Sequence, residues 1–288
     1  MTTTVTKPAS LWRETFRDIL QFAKAEWRWL VVFAAIIAIE RRLLAATYDL
    51  NDMMRQIKEV QGNQEEILKI VRVFLPGIVF SAVSNVATGL VSAYVFTVLY
   101  LRRGAEDASL FGIKSFFRWL GRIVQKYLIL VCPLLLVLVV LGFMATPSPS
   151  AEMQQTYSVI LAGLLFLWMF YFICGLYLLY LVTPAALLRK GESALAISFK
   201  MTKNELLRVW WGSMMVIGIV YTAFFPLILV NALALHAFGL DASQGHAVGT
   251  IIDSAMQACV DAGVAVYACV AYRVLQKEQA AKTDTSNV

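Results

Sequence analysis

Two carboxylates sit where carboxylates are costly. Asp253 and Asp261 fall in the apolar run 248–272 and are eight residues apart. At 3.6 residues per turn that spacing puts them on nearly one helix face. Ser254, Ala255, Ala258, Ala262 and Gly263 crowd the same stretch, and small residues let a second helix approach closely. A carboxylate at membrane depth must turn into a bundle, find a partner or become neutral. Three roles follow, in falling order of expectation: a structural contact between helices, a polar ligand cavity, and a proton or ion relay.

Arg41 and Arg42 in the run 29–48 are the candidate partners. They stand about six residues from the outer end of that run, and Asp253 about five from the outer end of its own. At about 1.5 Å per residue the depths match. The expected arrangement pairs Asp253 with Arg41 or Arg42, and leaves Asp261 protonated or facing a hydrated pocket. The plainer alternative has both arginines snorkelling outward. Asn85 completes the candidate intramembrane polar site, within the series Ser81, Ser84, Asn85, Thr88, Gly89 and Ser92. That series suits helix packing better than substrate binding.

Catalytic fingerprints are missing. The chain contains no GxSxG, HExxH, P-loop or dinucleotide-binding pattern. His236 and His246 lack zinc-site spacing. Cys132, Cys174, Cys259 and Cys269 lie in apolar runs without CxxC spacing, and read as apolar thiols rather than disulfides or metal ligands. No catalytic, cofactor-binding or metal residue is assigned, no cofactor is expected, and the chain is expected not to be an enzyme.

The elements that position these groups are membrane helices. The 288 residues are 59% hydrophobic and 15% charged, with mean hydropathy +0.69. Soluble domains average about 45–50% apolar and about 25% charged. The expected fold is all-α, a polytopic bundle of about six transmembrane helices near 29–48, 73–101, 127–146, 157–188, 209–235 and 248–272. Pro76, Pro184 and Pro226 predict kinks or tilt in three of them. Residues 1–28 form an amphipathic cytoplasmic helix rather than a signal peptide, 29–275 the six-helix domain, and 276–288 a disordered cytoplasmic tail.

Charge sets the orientation. Nineteen of the 25 Lys and Arg fall in the N-terminal tail, after the second and fourth spans, and after the sixth. Both termini are therefore expected inside. The net charge of +6 reads as membrane topology and anionic headgroup contact, not nucleic-acid binding. The stretch 11–27 carries Trp12, Phe16, Ile19, Leu20, Ala23 and Trp27 at helical spacing, with Arg13, Arg17 and Lys24 between. It suits either the headgroup region or the bundle's own cytoplasmic face. The polar outer segment 49–72 is expected to continue as helix, and 147–150 to turn.

A weak repeat links the two halves. Leu101-Arg-Arg-Gly-Ala-Glu-Asp107 follows the second span and Leu188-Arg-Lys-Gly-Glu-Ser193 the fourth. Each leads into an amphipathic stretch, 109–125 and 194–210, expected to be a cytoplasmic elbow helix. The second, Leu187-Leu-Arg-Lys-Gly-Glu-Ser-Ala-Leu-Ala-Ile-Ser-Phe-Lys-Met-Thr-Lys-Asn-Glu-Leu-Leu-Arg-Val-Trp210, resembles the elbow of the YciC-type bacterial membrane proteins. It also resembles the related membrane domain of some glycerophosphodiester phosphodiesterases. Tyr100-Leu-Arg-Arg-Gly-Ala-Glu-Asp-Ala-Ser-Leu-Phe111 is similar to the same family's run after its second span. The resemblance implies a six-helix domain in the bacterial inner membrane, with no catalytic activity of its own. The expected role is envelope or lipid-related scaffolding or handling. The expected partners are the bilayer, its anionic headgroups, and a membrane protein or second copy. A small transporter or channel using Asp253 and Asp261 is the first alternative, and a lipid-modifying enzyme the last.

Overall fold

The computed structural model describes residues 9–47, 50–60, 64–104, 112–144, 151–188, 193–238 and 242–286. These residues are helical almost throughout, and no strand occurs among them. The helices are α1 (Ala9–Thr47), α2 (Leu50–Glu59), α3 (Gln64–Arg103), α4 (Ile113–Met144), α5 (Ala151–Leu178), α6 (Val182–Leu188), α7 (Ala194–Thr202), α8 (Leu206–Phe238) and α9 (Ala242–Ser286). Four described stretches are long and apolar enough to cross a membrane: Arg72–Arg103, Ala162–Leu188, Leu206–Leu235 and Ala247–Ala281. They coincide with the second, fourth, fifth and sixth expected spans.

The run 29–48 does not reach that standard, because Glu40, Arg41 and Arg42 interrupt its apolar character. The run 127–146 ends outside the described residues, as do the turn at 147–150 and the start of the first elbow. Residues 113–125, expected as a separate elbow, run on into α4 as one helix. Of the second stretch, 194–210, Ala194–Thr202 form the short helix α7, capped by Ser193, whose hydroxyl accepts from the Ala196 N–H. Residues 206–210 open α8. The segment after Leu275, expected to be disordered, continues α9 as far as Ser286. Among the thiols, Cys269 is buried whereas Cys132 is exposed on α4.

Large apolar side chains stand on the outside. Phe80, Val83 and Val86 of α3 are about three-fifths exposed, as are Phe166, Leu167 and Phe170 of α5. Soluble monomers rarely carry contiguous surface of this kind. Backbone broken at such depth must be re-satisfied from within the protein.

By its internal contacts the chain divides into two compact units. One comprises Met1–Trp12, Leu101–Ser213 and Ala268–Val288. Side-chain bonds to the backbone mark its proline-containing stretches. Pro133 has no N–H to offer the Ile129 carbonyl one turn back, and the Tyr171 hydroxyl donates to that carbonyl at 3.1 Å. Ahead of Pro184 the helix breaks between α5 and α6. The Leu178 carbonyl there accepts from the hydroxyls of Ser198, at 3.0 Å, and Thr202, at 2.6 Å. The Leu181 N–H donates to the Ser198 oxygen at 3.1 Å. Arg208 grips Glu278 with two bonds, of 3.0 and 3.1 Å.

The other unit comprises Arg13–Tyr100 and Met214–Tyr267. α1 leaves helical geometry at Glu26, with φ −109° and ψ 21°, between its amphipathic beginning and its apolar remainder. Phe96 of α3 is fully buried, with the rings of Phe22 at 6.2 Å and Phe33 at 5.0 Å. The Tyr100 hydroxyl donates to Asp18 at 2.7 Å. On α9 small residues face inward: Ala258 is fully buried, and a Cβ on Gly263 would meet Val216 at 2.8 Å. There the Val216 side chain of α8 packs directly on the Gly263 backbone of α9. This second unit holds the candidate site.

Candidate functional site: a polar seam among α1, α3 and α9

Asp261 is engaged on both oxygens. Oδ2 accepts from the Ser92 hydroxyl of α3 at 2.8 Å, and Oδ1 accepts from the Gln257 amide of its own helix at 2.8 Å. Ser92 is fully buried. Its hydroxyl also lies 3.0 Å from the Gly89 carbonyl. The contact ties α3 to α9 through one hydroxyl.

Asp253 lies two turns toward the start of α9. Its Oδ2 stands 3.7 Å from Nη1 of Arg41. That is ion-pair distance, too long for a strong hydrogen bond. Both side chains are more than a third exposed, at 36% for Arg41 and 55% for Asp253. Arg42, one residue on, points along a different direction of the helix and is exposed.

Asn85 does not join these groups. Its amide donates to the Ser81 carbonyl at 2.8 Å, one turn back on the exposed side of α3. The polar neighbour that does join them is Glu40. Its Oε2 accepts from the Thr88 hydroxyl at 2.7 Å, whereas Oε1 is buried without a hydrogen-bond partner. Thr88 and Ser92 are one turn apart on α3, so one stripe of that helix holds Glu40 of α1 and Asp261 of α9. The pattern of small and hydroxyl residues in α3 marks the stripe in the sequence. Gln257 is marked only by its four-residue spacing from Asp261.

Chemically the seam is a set of acceptors held by hydroxyls and an amide. Among the described residues no three His, Cys, Asp or Glu side chains gather as a metal site. A second feature adjoins it. Phe16, Leu20, Ala23, Val220, Ala223 and Cys259 line part of a cavity of about 260 Å³ among α1, α8 and α9, and its lining is apolar throughout. No family model, curated protein or solved structure matches the chain.

Proposed function

We propose that this chain is a non-catalytic integral membrane protein that scaffolds or handles lipid-related components of the bacterial plasma membrane. In this reading it crosses the bilayer six times, with both termini in the cytoplasm, as the distribution of Lys and Arg favours. The likeness of its elbows to the YciC-type proteins supports the setting. The observation that carries the role is the engagement of Asp261 by Ser92 and Gln257. Both oxygens of this acid accept from its own bundle, and the Ser92 bond ties α3 to α9 as a helix clamp does.

The test is cysteine accessibility along α9. Single cysteines replace Asp253, Ser254, Ala258 or Asp261 in a protein lacking the four native thiols, reconstituted in lipid. A membrane-impermeant thiol reagent is then added from each side. Protection at 254, 258 and 261 is the expected result. Labelling at 261 as well as 253 would reveal an aqueous path and remove the scaffold reading.

A second reading rests on Glu40. A buried acid oxygen without a partner, one α3 turn from the Asp261 contact, suits a proton or cation relay. Proton flux into vesicles that disappears in Glu40→Gln would establish it, and no flux would dismiss it.

A further inference from the structure

The apolar cavity points to a ligand. We propose that it holds one acyl chain of an anionic phospholipid, whose phosphate is met by Arg17 and Lys24. This rests on the membrane reading above and names the lipid that the protein handles.

The argument begins with α1. The amphipathic part of this helix shows three strips. Thr15 and Phe22, each 2% exposed, form the strip that is buried in the unit, with Phe22 against Phe96 and Tyr100 of α3. Phe16, Ile19, Leu20 and Ala23 form the next strip and line the cavity. On a helix of 3.6 residues per turn, Lys24 follows Leu20 by about 40° and Arg17 by about 60°. The third strip is therefore a basic edge beside the cavity lining. Both side chains are exposed. Arg17 leans on Asp18 at 3.5 Å, but Asp18 is already held by the Tyr100 hydroxyl. Glu14 is exposed on the far side of Arg17, so the edge nearest the lining is cationic.

Size and polarity choose the occupant. At about 260 Å³ the cavity falls below the roughly 300–1,000 Å³ that encloses whole small-molecule ligands. A length of a single alkyl chain is narrow enough. The lining, from Val216 to Phe224 on α8 and Cys259 to Val266 on α9, offers no polar partner to a headgroup, so the headgroup must stay outside. Lipid tails are as apolar as this lining, so burying one gives little preference by itself. Selection therefore comes from charge at the rim. Each basic residue near an anionic headgroup is worth on the order of a fivefold preference. The kink at Glu26 is what lets the basic edge lie at headgroup level while the rest of α1 enters the apolar layer.

The full chain is reconstituted into nanodiscs of phosphatidylcholine containing a trace of phosphatidylglycerol with a diazirine on one acyl chain. Irradiation and peptide mapping locate the adducts. Resistance of the incorporated protein to carbonate extraction is measured on the same preparation. Expected are adducts on the cavity segments 216–224 and 259–266, at least severalfold above those from an equally labelled phosphatidylcholine. Ala223→Trp, at an exposed lining position, fills the cavity and removes those adducts while labelling elsewhere persists. Arg17→Gln with Lys24→Gln keeps cavity adducts but brings the two lipids close to parity.

Carbonate-resistant protein without cavity adducts would overturn this inference and leave the membrane reading standing. Equal labelling by both lipids in the unaltered protein would overturn the anionic assignment. A covalent dimer through the cavity segments would give the cavity to a second copy instead. Protein extracted by carbonate would overturn the membrane reading and this inference with it.

Discussion

The Ser92 hydroxyl lies 2.8 Å from Oδ2 of Asp261 and joins two helices at a fully buried point. Removing the hydroxyl leaves the carboxylate with Gln257 alone. Ser92→Ala is expected to cost about 1–3 kcal/mol, the penalty for an unsatisfied buried acceptor. The measurement is unfolding in mixed detergent micelles. If the tie is real, Ser92→Ala costs much less in an Asp261→Ala background, because the pair is lost once. Equal costs in both backgrounds would mean that the two side chains act independently.

The Arg41–Asp253 pair is a weaker contact and should behave so. Its 3.7 Å separation and its exposure on the bundle surface make it a loose ion pair, and exposed pairs contribute about 0.2–1 kcal/mol. A cycle of Arg41→Gln and Asp253→Asn should return a coupling in that range, shrinking as salt is raised. Arg42→Gln with Asp253→Asn should return none. Coupling to Arg42 equal to that of Arg41 would contradict the geometry.

Much of this arrangement is written in spacing. The apolar runs that became α3, α8 and α9 stand out because each exceeds the length a buried helix needs, and the prolines mark where backbone groups are released. The eight-residue interval between Asp253 and Asp261 likewise implies a shared helix face. What spacing does not carry is register between helices. Which of Arg41 and Arg42 meets Asp253 depends on how α1 is rotated, and two adjacent residues differ by about 100°. Asn85 and Ser92 look alike as polar residues on α3, yet Asn85 closes on Ser81 and Ser92 reaches across to α9. Glu40 is masked by the two arginines that follow it. The helical tail to Ser286 carries polar residues that by themselves favour disorder. Arg208 holds Glu278 within it, and that contact is distant in sequence.

Ser198 and Thr202 belong to the elbow motif, and the broken helix gives them a task. Both hydroxyls donate to the Leu178 carbonyl, and Ser198 also accepts from the Leu181 N–H. Both residues are fully buried. Ser198→Ala orphans an N–H and weakens a carbonyl, and is expected to cost about 2 kcal/mol or more. Thr202→Val preserves shape and leaves the Leu178 carbonyl its Ser198 partner, so about 1 kcal/mol is expected. Hydrogen exchange should show faster opening around 178–184 in Ser198→Ala. Unchanged exchange there would mean that the break is held by packing alone.

Gly263 sets how closely α8 and α9 approach. A methyl group added there would stand 2.8 Å from Cγ1 of Val216, closer than carbon atoms tolerate. Val216 is 3% exposed, and its branched side chain has little rotameric freedom with which to yield. Gly263→Ala is therefore expected to destabilise the protein by about 1–3 kcal/mol through overpacking. Alanine's better helix propensity, worth roughly 1 kcal/mol over glycine, offsets part of that loss, so a net cost of about 0–2 kcal/mol is expected. Trimming the neighbour separates the two effects. In a Val216→Ala background the clash is gone and only propensity remains, so the same Gly263→Ala change should become neutral or stabilising. Micelle unfolding of the four proteins measures both changes. A Gly263→Ala cost that persists in the Val216→Ala background would place the constraint in the backbone of α8 and not in the valine side chain.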